Sequence, residues 1–271
     1  SFFKNISIVI PLKKKKYSLH WLFLWTKVFF NFWDCVIDLR GTGISYFLLA
    51  KKRLLYSGHK KEIKKHKVIS ISKIITNKIL DPFIDISEDH LKTNKNIEFI
   101  KKINTRSDLI AIAPSANWLG KKWPSQRYSE LIRRLIKLNI FVRPKFLLFG
   151  SENEYQDSQK IFSCFKKNEI INFSGILKLN EIFIIMKYCK LFIGNDSGLM
   201  HLSAASKIPT VGLFGPSDIV QYHPWGKTTL SISTPESPDD LMNHKNFSHK
   251  NTNSLMLGLT VKVVENNIIK F

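Results

Sequence analysis

The sequence predicts an α/β fold in which parallel sheets are covered by helices on both faces. Three observations carry that expectation. After residue 105, short apolar runs alternate with segments of helical spacing, and most of the runs end in Gly, Ser, Asn or Asp. Uninterrupted apolar strands of this kind belong to sheets buried on both faces. The length of 271 residues suits two domains of roughly 100 to 150 residues, each with its own core.

Taken in order, the first domain covers residues 1–105. Phe2-Phe3 and then Ile6–Ile10 read as a strand, and because Ser1 opens the sequence without an initiator Met, the chain reads as lacking its true beginning. Leu19–Trp33 is a helix-forming run of 15 residues interrupted by His20, Lys27 and Asn31, short of the roughly 20 apolar residues a membrane span needs. Two readings stay open for it: a helix buried in a domain core, or one whose aromatic side rests in a lipid interface beside Lys13–Lys16. Cys35–Leu39 reads as a strand, Arg40-Gly-Thr-Gly43 as a turn and the apolar stretch to Ala50 as a helix, together one βα unit. Lys51–Lys67 and Lys73–Asn104 read as solvated helix and connecting loop.

The second domain, 106–271, is more regular. Strands are expected at Leu109–Ala113, Lys145–Phe149, Ile170–Phe173, Leu191–Ile193 and Thr210–Phe214. Helices are expected at Ser125–Leu138, to about Phe165, at Asn180–Tyr188 and at Leu199–Ser206. Tyr222–Asn253, rich in Pro, Ser, His and Asn, reads as irregular, and Leu255–Ile269 resumes helical spacing.

Composition bounds the partners. The chain carries 42 Lys and Arg against 21 Asp and Glu, a net charge of +21, while 44% of it is hydrophobic. It is therefore a folded protein whose surface attracts anions: nucleic acid, an anionic membrane, or phosphorylated small molecules. Cys35, Cys164 and Cys189 show no metal-ligand or disulfide spacing, which favours a reducing compartment and no metal site.

The strand ends hold the chemistry. A strand feeding Asn195-Asp-Ser-Gly198 and then a helix presents unpaired backbone N–H groups and a positive helix end at the ligand edge of the sheet, which is a cradle for phosphate. Gly198 permits close approach of the backbone. A carboxylate repels phosphate, so Asp196 suits capping or hydrogen bonding to amides or sugar hydroxyls. His201, one turn on, reaches towards the same place. The plainer alternative makes Asp196 and Ser197 an ordinary helix cap and His201 a packed histidine. Ser115 and Asn117 end the first strand of this domain, and Lys121 and Lys122 follow at a strand-to-helix junction where their charge would neutralise a diphosphate; alone, two lysines in so basic a protein are more simply solvated. Glu154 is the acidic candidate for ribose hydroxyls, and alone it is an ordinary surface carboxylate.

Ala113-Pro-Ser-Ala-Asn-Trp-Leu-Gly-Lys-Lys-Trp-Pro124, Ile193-Gly-Asn-Asp-Ser-Gly-Leu-Met-His201 and Pro209-Thr-Val-Gly-Leu-Phe-Gly-Pro-Ser-Asp218 resemble the donor-binding half of glycosyltransferase family 9, the ADP-heptose:lipopolysaccharide heptosyltransferases. The resemblance covers about residues 106–271 and extends more weakly through Val36–Gly41. It implies a GT-B architecture, two Rossmann-like domains facing across a cleft with the final helix crossing back. The implied reaction is inverting transfer of a heptose or similar sugar from a nucleotide diphosphate to a lipid A and inner-core acceptor. No metal or cofactor is implied, and the place is the cytoplasmic face of the inner membrane. By position, Lys121 resembles the lysine that stabilises charge on the departing diphosphate. Asp196, Ser197 and Gly198 match the loop at donor sugar and phosphates, His201 the histidine after it, Glu154 (or Glu152 in a shifted register) the nucleoside contact, and Ser115 and Asn117 phosphate contacts.

One expected feature has no match. The family opens with a strand and a glycine-rich turn bearing an aspartate proposed as general base, and Asp34 and Asp38 belong to a later unit. The expectation that follows is a chain that binds donor but turns over poorly. Two further readings stay open: a nucleotide-sugar epimerase, which shares the two-domain architecture, and an anion- or nucleic-acid-binding protein. The second is disfavoured because the aromatics are not interleaved with the basic runs.

Overall fold

A computed structural model describes residues 5–56, 65–86, 94–243, 247–249 and 252–271. The chain divides into two compact units, Ser1–Asp81 and Pro82–Phe271. Residues 95–104, placed before a boundary near 105 in the sequence reading, thus belong with the second unit: Ile97 and Ile100 are buried there.

In the first unit, a turn of 3-10 helix, Lys16–Ser18, leads into α1 (Leu19–Val28). Strand β1 (Trp33–Asp38) pairs in parallel with β2 (Ala50–Leu55), Val36 lying opposite Arg53, and α2 (Lys67–Ile75) follows. Three sequence expectations need correction here. Ile6–Ile10 is not a strand; among the described residues no strand pairs with it, and an unpaired strand leaves its backbone groups unsatisfied. Ala50, read as the end of an apolar helix, and residues 51–55, read as solvated helix and connecting loop, form β2: three consecutive basic residues, all exposed, hide the strand. α1 is a helix, but none of its residues is buried, so it is not a core helix. Its inner side, Trp21, Leu24 and Val28, borders an apolar cavity of about 550 Å³ with Val36 and Leu48. Phe2-Phe3 and residues 57–64 of the lysine-rich stretch Lys51–Lys67 lie outside the described residues.

At the end of β1 the Asp38 carboxylate accepts the N–H groups of Arg40, Gly41 and Thr42, each at 2.9 Å, and the Thr42 hydroxyl at 3.1 Å. Gly41 takes φ +63°, the left-handed turn that brings these amides round. Burial pushes the Asp38 carboxyl up, but the hydrogen bonds outweigh it and hold its pKa below the ordinary 3.8.

The second unit is a six-stranded, all-parallel sheet. After α3 (Lys95–Asn104) come β3 (Leu109–Ala113), α4 (Ser125–Leu138), β4 (Lys145–Leu148), α5 (Tyr155–Phe162), β5 (Ile170–Asn172), α6 (Leu179–Met186), β6 (Cys189–Asn195), α7 (Gly198–Ala205), β7 (Thr210–Phe214), α8 (Ile219–Tyr222), β8 (Thr229–Ser233), α9 (Pro238–Met242) and α10 (Val261–Lys270). The strand order is β5-β4-β3-β6-β7-β8. Chain order runs outward from β3 in one direction and from β6 in the other, so the topology switches between these two strands.

Every residue of β3 and β7 is buried. Side chains alternate across the sheet: Ile110, Ile112, Phe146, Leu148, Ile193 and Leu213 join Tyr128, Leu131 and Leu135 of α4 and Val264 of α10 in one core. α4 packs on α5 and α10, while α6 packs on α3 and α7. The segment read as irregular contains β8, which pairs along β7 from Thr210 opposite Thr229 to Phe214 opposite Ser233. Its sequence, Thr-Leu-Ser-Ile-Ser, buries only Ile232, so it lacks the apolar run that marked the other strands.

Candidate active site

The loops leaving β3, β4 and β6 enclose a cavity of about 670 Å³ on the carboxyl side of the switch point, within the range of about 300–1,000 Å³ usual for small-molecule sites. Ser115, Asn117, Lys121, Glu154, Asp196, Ser197, Gly198 and His201 all line it. Lys122 does not: its ammonium pairs with Asp157 at 2.7 Å. Leu177, Leu179 and Ile182 form an apolar end, so the cavity is polar at α7 and hydrophobic at α6.

Lys121 closes a single turn of 3-10 helix, Leu119–Lys121, and its Nζ donates to Asp196 Oδ2 at 2.7 Å. Ser217, in the loop after β7, donates its hydroxyl to the same oxygen at 2.6 Å. These two contacts make a carboxylate compatible with an anion site nearby: the lysine balances its charge and the hydroxyl hydrogen-bonds to it. Asp196 Oδ1 lies 3.9 Å from His201 Nε2. Desolvation of the His201 ring, although 44% of its side chain stays exposed, lowers its pKa below the ordinary 6.5; Asp196 opposes this, Lys121 and His223 add to it, and the net change is a decrease.

Ser197 precedes α7 in extended conformation, φ −151°, without capping the helix by its side chain. Its Oγ is buried and has no hydrogen-bond partner. The first-turn N–H groups of α7 likewise lack intrahelical acceptors by the geometry of any helix start, and an added Cβ at Gly198 would meet nothing within 4 Å. Donors, open space and the positive end of a helix dipole converge there, as an anion requires. Glu154 Oε2 accepts both the N–H and the hydroxyl of Ser151 at 2.8 Å, fixing the carboxylate at the start of α5.

Behind this wall Asn195 is fully buried. Its Oδ1 accepts from Trp123 N at 3.1 Å and from the Tyr128 hydroxyl at 2.9 Å, and its Nδ2 donates to Pro114 O at 2.7 Å. Neither Asn195 nor Ser217 had a role in the sequence reading, although both stand inside quoted motifs. The available signal for Asn195 is a polar residue directly after the apolar run Leu191–Gly194.

Switch-point topology and a strand-end cavity define a doubly wound α/β protein, and solved structures of GT-B heptosyltransferases share this fold. One titled as E. coli ADP-heptose lps heptosyltransferase II superposes with a TM-score of 0.65 at 19% identity, covering 88% of this chain and 76% of that one. A family 9 glycosyltransferase from Veillonella parvula gives 0.66 at 19% identity, covering 88% and 72%. The chain belongs to glycosyltransferase family 9 (heptosyltransferase), whose family model matches residues 34–251. Lipopolysaccharide heptosyltransferase 2 of Salmonella typhimurium is 30% identical over 154 residues, 55% of this chain and 42% of that protein. The lipooligosaccharide heptosyltransferase 2 of Haemophilus influenzae is 26% identical over 208 residues, 72% and 59% respectively. The chain thus spans about half the length of the curated relatives it matches.

Proposed function

We propose that this chain carries the donor site of an inverting heptosyltransferase that moves heptose from ADP-heptose to a lipopolysaccharide core. The observation that carries the reading is the Lys121–Asp196 pair facing the open start of α7 inside one cavity. In this reading the diphosphate lies against the Ser197–Gly198 amides, with Ser115 and Asn117 beside it. Lys121 turns from Asp196 towards the bridging oxygen as negative charge grows there, electrostatic stabilisation of the leaving group that is worth about 3–4 kcal/mol for a single well-placed donor. Glu154 holds ribose hydroxyls, and the nucleobase enters the apolar end by Leu177, Leu179 and Ile182. Relatives named heptosyltransferases support the sugar, and an E. coli heptosyltransferase solved with ADP has the same fold.

The acceptor's general base is not assigned to Asp38, because a carboxylate engaged by three backbone amides and held below its ordinary pKa is a weak base. The membrane partner is supported by the outer face of α1, where Leu19, Leu22, Phe23 and, just past the helix, Phe30 are exposed at helical spacing. Lys15 and Lys27 each lie within 6 Å of the Phe23 ring centre, and Lys13–Lys16 precede the helix. Apolar side chains ringed by lysines suit the headgroup layer of an anionic bilayer, here the cytoplasmic face of the inner membrane.

Thermal melting with ADP, UDP or duplex DNA tests the core of this reading. A ligand at a hundred times its Kd stabilises by about 2.7 kcal/mol, and ADP should give the largest rise in Tm. Stabilisation by DNA alone would sink the donor reading. A transfer assay with ADP-heptose then separates donor binding from turnover.

A further inference from the structure

We propose that Ser254 is a positioning residue for Lys121, holding the lysine at the place where a donor diphosphate would meet it; this rests on the donor reading above. Lys121 belongs to a three-residue turn of 3-10 helix, too short to hold its own shape. The turn is held from outside. The carbonyl groups on either side of Lys121 accept from two consecutive residues far along the chain: Leu255 N donates to Gly120 O at 3.0 Å and Ser254 Oγ donates to Lys122 O at 2.6 Å. The peptide unit before the lysine and the one following Lys122 are thereby held, so the turn is fastened on both sides of Lys121.

The Ser254 hydroxyl is itself oriented, since its oxygen accepts from Met256 N at 3.2 Å while its proton goes to Lys122 O. Met256 is fully buried against Gly215, where an added Cβ would come within 2.7 Å of Met256 Cγ. Gly215 opens the loop whose Ser217 donates to Asp196. Ser254–Met256 therefore touches both supports of the ion pair, the turn that bears Lys121 and the loop that steadies Asp196. Ser254 is not among the residues lining the cavity, so it acts through the backbone alone. A catalytic ammonium must be held to within about 0.5 Å of its productive place, and a long lysine side chain reaches that only if its Cα is fixed.

The test uses the full chain with Ser254→Ala, Ser254→Thr and Lys121→Ala, measuring Tm together with affinities for ADP and for adenosine. Calorimetry serves for ADP and ligand-observed NMR for weakly bound adenosine. Ser254→Ala should weaken ADP about tenfold, equivalent to about 1.4 kcal/mol, and adenosine less than twofold. Ser254→Thr, which keeps the hydroxyl, should restore ADP binding. Equal losses for both ligands, or unchanged ADP affinity in Ser254→Ala beside a clear loss in Lys121→Ala, overturn the positioning role. Unchanged ADP affinity in Lys121→Ala removes the diphosphate role of that lysine and this inference with it. Failure of the unaltered chain to bind ADP overturns the donor reading itself.

Discussion

Asp196 keeps only 8% of its side chain exposed and shares one oxygen between Lys121 and Ser217. Removing the lysine strands a nearly buried carboxylate, so Lys121→Met should lower stability by about 1–3 kcal/mol. Adding Asp196→Asn should recover most of that loss, and a double-mutant cycle of denaturant midpoints reads the coupling. His201 should add a modest pH dependence, modest because 44% of its side chain stays exposed. Its native pKa lies below 6.5, so as pH falls the unfolded chain takes up this proton first. The stability present above pH 6.5 is lost as pH drops from there through the lowered native value. His201→Asn should flatten the Tm profile in that window; an unchanged slope would show that other groups set it. At this scale the sequence identifies the loops that line the cavity but not the pairings: Asp196 finds its partners 75 residues before it and 21 after it, separations that no local pattern reveals.

Two glycines of one strand-to-helix element separate stability from binding. A Cβ at Gly194 in β6 would lie 2.7 Å from the Phe192 ring and 3.0 Å from the Ala113 carbonyl oxygen, whereas one at Gly198 would meet nothing within 4 Å. Gly194→Val should therefore cost about 1–3 kcal/mol by overpacking. Gly198→Val should leave the unliganded Tm within a few degrees and cut ADP affinity at least tenfold; equal ADP affinity in the two proteins would remove the phosphate from the start of α7. The same element shows when secondary structure could be read in the sequence. β3 and α4 fall at the expected residues because burial on both sheet faces demands a solid apolar run, and packing on one side of a helix demands its 3.6-residue spacing. β2 and β8 carry no solid apolar run, β2 because half of it is exposed and β8 because most of it is only partly buried, and a strand identified by its pairing leaves little trace in composition.

Across the whole molecule, the net charge of +21 acquires distinct uses in the proposed function, with Lys121 at the donor and the lysines around α1 at a lipid surface. Co-sedimentation should show binding to phosphatidylglycerol vesicles that exceeds binding to phosphatidylcholine and weakens with salt, as screening at a Debye length of about 8–10 Å requires. Phe23→Ser with Phe30→Ser should reduce it severalfold while ADP binding stays intact; retention in full would move the lipid contact away from α1. Composition points only to an anion, and the preference for a small ligand over a polymer in the proposed function rests on the arrangement of strand ends. The buried Asn195 amide bears on how that ligand arrives. It fastens the loop after β3, the residue that leads into α4 and α4 itself to the end of β6, so one wall of the site is held by the chain's own hydrogen bonds. Donor capture should therefore proceed at a rate set by diffusion and electrostatic attraction, with little of its binding energy diverted to folding that wall into shape.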